Sequence, residues 1–264
     1  MSSPSPFRLV HTSHPRWPLT LAPVPTPPPS RPLRISILDS SFNPPHSAHL
    51  ALAQHGGSAF DARLLVLSTS NADKGAAEQQ EVEKRLSMMV EMAKAMENSR
   101  EGNVAVACIA EPAFVSKSRV LKGEVERLLR ERIAAPEGGS VPEVRLTFLL
   151  GWDTLIRFFA PRYYQSPSPP ISVALSSFFN TDSSSISCAR RGDLSLVEEQ
   201  AFLDSEEVKP WVSKVELFDL GDEARGVSST EVRKAVKEGR WEEFERLVPV
   251  EGVREVLKRE GMYK

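Results

Sequence analysis

Apolar and polar positions along the chain follow two different periods. Leu33 to Leu38 (LRISIL), Arg63 to Leu67 (RLLVL), Val104 to Ile109 (VAVACI) and Val144 to Leu150 (VRLTFLL) are short runs rich in Ile, Leu and Val. Runs of this length and composition predict buried strands. Ser184 to Ala189 (SSISCA) and Val215 to Leu220 (VELFDL) add two shorter ones. Between the runs the spacing becomes helical. Val82, Leu86, Met89, Val90 and Ala93 fall on one face of 78–96. Leu121, Val125, Leu128 and Leu129 mark a second amphipathic helix, and Ile171, Ala174, Leu175, Phe178 and Phe179 a third. HLALAQ predicts a helix directly after the first strand, and two or three helices follow from near Ser228.

Strands alternating with helices predict an α/β fold: a mostly parallel sheet with helices on both faces, closed by C-terminal helices. No internal repeat interrupts the pattern. The segments 134–142 and 165–170 are rich in Pro, Gly or Ser and are expected at the surface. Ligands of such sheets sit beyond the carboxyl ends of the strands, so the loops that follow strands are the places to look for chemistry.

Residues 1–32 stand apart from this pattern. They are dense in proline and contain no acidic residue. Proline removes backbone donors and disfavours helix, so this segment is expected to be a disordered tail, with residues 33–264 forming the folded domain. The same prolines argue against the basic amphipathic helix of a mitochondrial presequence.

Composition narrows the function classes. The 264-residue chain is 41% hydrophobic and 26% charged, as in an ordinary soluble domain. Its formal charge of −2 lacks the basic field of a nucleic-acid binder. The two cysteines, Cys108 and Cys188, form no CxxC unit, which favours a reducing compartment, cytoplasmic or nuclear. No apolar run approaches the roughly 18 residues that cross a bilayer.

Three segments carry candidate chemistry. The first is Asp39 to His49 (DSSFNPPHSAH), between a buried strand and a helix. A helix N-terminus presents free N–H groups and a positive dipole end, which suits phosphate. His46 and His49, three residues apart, share one face of its first turn. The HxxH spacing admits a zinc reading, but no nearby cysteine, third histidine or HExxH pattern completes a ligand set. The second is Gly226 to Arg233 (GVSSTEVR). Ser228 or Ser229 can cap the following helix. The hydroxyls of Ser229 and Thr230, with free helix amides, can cradle phosphate. Arg233 projects over the same end, and its fork suits β- and γ-phosphates. The ordinary N-cap reading of this segment stays open. The third is Gly151-Trp152-Asp153, at the end of the fourth strand. A carboxylate there can accept two ribose hydroxyls; Asp153 can equally cap the next helix, and Trp152 can stack on a ring or fill the core.

SFNPPHSAH resembles the S/T-F-D/N-P-x-H-x-G-H signature of the nucleotidyltransferase superfamily, which includes the nicotinamide mononucleotide adenylyltransferases. The form DSSFNPPH is most similar to their fungal branch. GVSSTEVR is similar to the family's I-S-S-T-x-I/V-R motif, and Gly151-Trp152-Asp153 to its G-x-D-x-L segment. The resemblance implies a Rossmann-like fold and transfer of an adenylyl group from ATP to a mononucleotide, with nicotinamide mononucleotide favoured. Nicotinic acid mononucleotide, or a nucleotide-binding or weak ATP-hydrolysing protein acting through partners, is the alternative. It further implies that Ser41, Phe42, His46, His49, Arg191, Ser228, Ser229, Thr230 and Arg233 bind ATP. His46, His49 and Arg233 would stabilise transferred charge, with Mg²⁺ accompanying ATP. Asn43, Lys74, Gly151, Trp152 and Asp153 would line the acceptor side. Within the doubled arginine of Arg190-Arg191-Gly192-Asp193, Arg191 is preferred as the ATP contact. Ser40 stands where the general signature has glycine, a replacement that can hinder close backbone approach to phosphate. EPAFVSK (111–117) departs from the pattern of bacterial relatives. Arg85 is read as a structural ion-pair residue.

Overall fold

The computed structural model describes residues 6–20, 31–71, 75–76, 78–97, 102–133, 141–165, 169–190 and 195–263. A seven-stranded sheet forms its centre. The strands are β1 (Phe7–Thr12), β2 (Leu33–Ser40), β3 (Ala62–Ser68), β6 (Val104–Ile109), β7 (Val144–Gly151), β8 (Ser185–Ala189) and β9 (Val215–Phe218). A separate two-stranded ribbon pairs β4 (Ser70–Asn71) with β5 (Gly75–Ala76). The helices are α1 (Ser47–Gln54), α2 (Gln79–Glu97), α3 (Phe114–Arg132), α4 (Trp152–Phe158), α5 (Ile171–Ser176), α6 (Leu196–Leu203), α7 (Ser229–Lys237), α8 (Trp241–Leu247) and α9 (Glu251–Arg259).

The sheet order is β1-β6-β3-β2-β7-β8-β9, and every pairing except β1 with β6 is parallel. The winding therefore reverses between β2 and β7. That reversal opens a crevice beyond their carboxyl ends, at the loops after Ser40 and Gly151.

Alternation along the central strands builds two cores. Ile35, Ile37, Leu64, Val66, Ala105 and Ala107 face one side, with α3, α4 and α5. Leu38, Leu65, Leu67, Val104 and Val106 face the other, with α2, α7, α8 and α9. Both faces of each strand are buried, which is why the strands read as continuous apolar runs instead of alternating ones. Each helix predicted from spacing is present with most of its apolar members buried, including Val82, Leu86, Met89 and Ala93 of α2, while Val90 of α2 and Ile171 of α5 are half-buried.

The expected disordered tail is corrected for residues 6–20. Phe7–Thr12 adds an antiparallel edge strand to β6, and Trp17 and Leu19 are buried in the first core. An edge strand donates to one neighbour only, so flanking prolines are tolerated there as they are not in a central strand. A fully buried Trp17 anchors the segment; burying so large an aromatic contributes roughly 2–3 kcal/mol, partly offset by its buried Nε1–H, which has no hydrogen-bond partner among the described residues.

Candidate active site

The loop between β2 and α1 owes its shape to Phe42. Its backbone has φ of +43°, a left-handed conformation rare outside glycine. That conformation costs about 1–2 kcal/mol. Full burial of the ring in the second core contributes roughly as much or more. The turn thus swings Phe42 inward and carries the chain toward α1, where His46 is the N-cap.

His46 and His49 are both buried, each 7% exposed. Their ring centroids lie 3.8 Å apart, and the His49 ring also rests 4.9 Å from that of Phe42. The i, i+3 spacing does bring the two rings together. Burial pushes His46 down to about 4. Burial, reinforced by the neighbouring His46, holds His49 well below the ordinary histidine range. Both rings are therefore neutral near pH 7, and each has a buried Nδ1 without a hydrogen-bond partner. The Nε2 of His49 is 2.8 Å from the Ser40 hydroxyl. No side chain caps the N-terminus of α1, so its first amides are left for another acceptor.

Helix α7 comes to the same loop from the far end of the chain. Arg233 Nη1 donates to the Asn43 carbonyl at 2.7 Å, and Ser229 Oγ donates to the Pro44 carbonyl at 3.0 Å. Arg233 Nη2 donates to Thr230 Oγ1 at 3.0 Å. The Tyr263 hydroxyl donates to Asn43 Oδ1, and burial raises that phenol to about 12. Two cations, Arg233 and Arg85, lie near enough to Tyr263 to oppose that rise. The two histidines and the serine–arginine helix therefore share one loop.

Several expectations change in detail. Ser228 forms a capping box with Glu231, the hydroxyl meeting the Glu231 amide and the Glu231 carboxylate accepting from the Ser228 amide. The ordinary cap reading thus holds for Ser228, whose hydroxyl is engaged with Glu231. Trp152 is 5% exposed and packs edge-on against Phe202, 5.1 Å between centroids, so the core takes its ring instead of a ligand. Gly151 caps α4, and a Cβ built there would meet no protein atom within 4 Å. Asp153 is exposed in the first turn of α4. Ser41 is exposed at the mouth of the loop. Arg85 Nε is buried without a hydrogen-bond partner among the described residues. Lys74 and Arg191 lie outside the described residues. The adjacent Arg190 pairs with Glu199 at 2.7 Å and with Asp219 at 3.4 Å.

Two features have no local signal in the sequence. Lys117, from the EPAFVSK segment, forms a buried ion pair with Asp39 at the end of β2. These residues are 78 apart in the chain, and only the sheet order brings α3 over β2. Tyr263 reaches the loop the same way, from the last turn of the chain.

Among the described residues no group of three His, Cys, Asp or Glu side chains could hold a metal ion. Nor is any described helix long and apolar enough to cross a membrane. A cleft of about 330 Å³ opens elsewhere, between β1, α2 and α9, and none of the predicted site residues lines it.

No family model matches the chain. A Schizosaccharomyces pombe protein named "Putative nicotinamide mononucleotide adenylyltransferase" is 33% identical over 229 residues, covering 82% of this chain and 81% of its own length. Two solved structures share the fold. One is a Plasmodium falciparum nicotinic acid mononucleotide adenylyltransferase complexed with APC, with a TM-score of 0.55 and 14% identity over 87% of this chain and 96% of that one. The other is the same enzyme complexed with NaAD, with a TM-score of 0.56 and 15% identity over 87% and 97%. Sequence relationship across most of both chains, on a fold shared with these adenylyltransferases, makes this chain a member of the nicotinamide mononucleotide adenylyltransferase family of nucleotidyltransferases.

Proposed function

We propose that this chain transfers the adenylyl group of ATP to nicotinamide mononucleotide, forming NAD and pyrophosphate. The observation that carries this reading is the meeting of α1 and α7 on one loop. Neutral His46 and His49, the uncapped start of α1 and the Arg233 fork border the same end of the sheet, at the switch point between β2 and β7. That set suits a triphosphate.

In the reaction a 5′-phosphate oxygen of the mononucleotide attacks the α-phosphorus of ATP. The bond from the α-phosphorus to the bridging oxygen of the β-phosphate breaks, and pyrophosphate leaves with that electron pair. The nucleophile is already ionised, so no protein base is needed. The work falls to alignment and charge stabilisation. Arg233 is fixed by Asn43 and Thr230 and retains further N–H donors for β- and γ-oxygens. Burial keeps His46 and His49 neutral in the free protein, and an approaching anion favours their protonated forms, which stabilise the transferred charge. Gly151, with open space at its Cα, allows the acceptor to approach the backbone, and Asp153 offers a carboxylate to ribose hydroxyls. Mg²⁺ accompanies ATP as part of the substrate.

The test is acceptor dependence. Purified protein is incubated with ATP and with nicotinamide mononucleotide, nicotinic acid mononucleotide or no acceptor, and pyrophosphate and dinucleotide are measured. Pyrophosphate formed together with NAD supports the reading. Preference for the nicotinic acid substrate moves the acceptor, and inorganic phosphate released without transfer rejects the reading.

A further inference from the structure

We propose that Ser40 is the substrate-facing half of a Ser40–His49 pair, its hydroxyl donating to a phosphate oxygen of the bound nucleotide. This rests on the adenylyltransferase reading and deepens it. The general signature has glycine here, and glycine offers no hydroxyl.

Access comes first. Ser40 ends β2 at the switch point and is half-buried beside the exposed Ser41, whereas His49 is buried. A ligand arriving at the carboxyl end of β2 therefore reaches the serine before the histidine. The His49 ring is wedged between Phe42 at 4.9 Å and His46 at 3.8 Å, which fixes Nε2 on the serine hydroxyl at 2.8 Å.

The direction of that hydrogen bond follows from the other ring nitrogen. Burial keeps His49 neutral, so the ring carries one N–H and one lone pair. Nδ1 is buried without a partner. Were the proton on Nδ1, the ring would bury an orphan N–H, the rarer kind of unsatisfied group. With the proton on Nε2, the ring donates to Ser40 Oγ and only a lone pair is orphaned. The serine proton is then directed away from the ring and is available to an outside acceptor, and the bond behind it strengthens the donation. A phosphate oxygen is an acceptor of the required kind. His49 thus orients the serine proton toward the phosphate while its ring stays within the field of the anion, and serine supplies a donor where glycine offers only a bare backbone.

Wild type, Ser40→Ala, Ser40→Gly and Ser40→Thr are compared by steady-state kinetics with ATP and nicotinamide mononucleotide, and by calorimetric titration with ATP alone. The expected result is a fall of about tenfold or more in kcat/KM for ATP and in ATP affinity for both Ala and Gly, as for loss of one electrostatic donor. The KM for the mononucleotide stays within about twofold and Thr recovers most of the loss, while Ala and Gly lower the thermal midpoint by only a few degrees, as for one unsatisfied buried donor. Ala or Gly variants that equal or exceed wild type overturn the proposal and leave Ser40 as an obstruction over His49. So does a loss confined to the mononucleotide KM, or Thr behaving like Ala. A wild type active in transfer with Ser40→Ala unchanged overturns this inference alone. A wild type that binds no ATP overturns both it and the adenylyltransferase reading.

Discussion

Arg233 Nη1 donates to the backbone carbonyl of Asn43 at 2.7 Å, although 190 residues separate them. This bond, with Ser229 on Pro44 and Tyr263 on the Asn43 side chain, ties the C-terminal helices to the loop that ends β2. The loop that leads to the two histidines is therefore held by residues 185 to 220 positions further along the chain.

Arg233→Ala removes both the clamp on Asn43 and the guanidinium fork. It is expected to lower turnover with ATP at least tenfold. Stability should fall by about 1 kcal/mol, the size of one hydrogen bond lost from a half-buried group. Arg233→Lys should recover little activity, because an ammonium cannot reach Asn43 and phosphate oxygens with one planar fork. Kinetics and urea unfolding of both variants check this; near-normal turnover for Arg233→Ala contradicts it.

His49→Ala should lower turnover at least tenfold with the fold retained, as for the loss of one electrostatic contact at a transferred phosphate. Circular dichroism and thermal melting verify folding alongside the rate. A turnover close to wild type rejects the assigned role.

Acid should destabilise the protein through its buried histidines. The folded values of His46, His49, His55 and His14 all lie below the ordinary 6.5, each mainly through burial. Their contribution is complete above 6.5. As the pH falls from 6.5, the unfolded chain takes up protons that the folded chain resists, until His46 itself titrates near 4. His46 alone accounts for about 2–3 kcal/mol across that window. Urea unfolding at intervals from pH 7.5 to 4.5 should show falling stability, with a shallower slope in His46→Gln; identical slopes contradict the assignment.

ATP binding should be accompanied by proton uptake. An anion beside two neutral histidines raises their basicity, so affinity should rise as pH falls from 7 toward 6. Calorimetric titrations in buffers of different ionisation enthalpy measure the protons directly, and zero uptake places the phosphates away from these rings.

Gly151→Ala separates ligand contact from folding. The backbone there has φ of −86°, which any residue adopts, and the added methyl meets no protein atom within 4 Å. Stability should be unchanged or slightly higher, while the mononucleotide KM should rise several-fold, read by steady-state kinetics. An unchanged KM removes Gly151 from the acceptor site.

The central strands and amphipathic helices were legible because both faces of the sheet are covered, so each strand is a dense apolar run and each helix carries one stripe. Strand β1 was not. FRLVHT sits among prolines, and its place depends on a free edge of β6, which local composition does not reveal. The site divides in the same way. The His46–His49 contact is fixed by helical geometry and could be read from spacing. The meeting of Arg233 with this loop was carried by the family resemblance. The Lys117–Asp39 pair and Tyr263 depend on which elements the sheet order brings together, and nothing near them in sequence points to each other. Trp152 was evenly divided between ligand and core, and packing against Phe202 decides it.

The most direct measurement is a crystal structure of the protein with a non-hydrolysable ATP analogue. The expected density is a triphosphate between the start of α1 and Arg233, with the α-phosphate beside Ser40 and His49. A nucleotide bound in the cleft between α2 and α9, or a triphosphate contacting only one of the two helices, contradicts the shared pocket on which the adenylyltransferase reading stands.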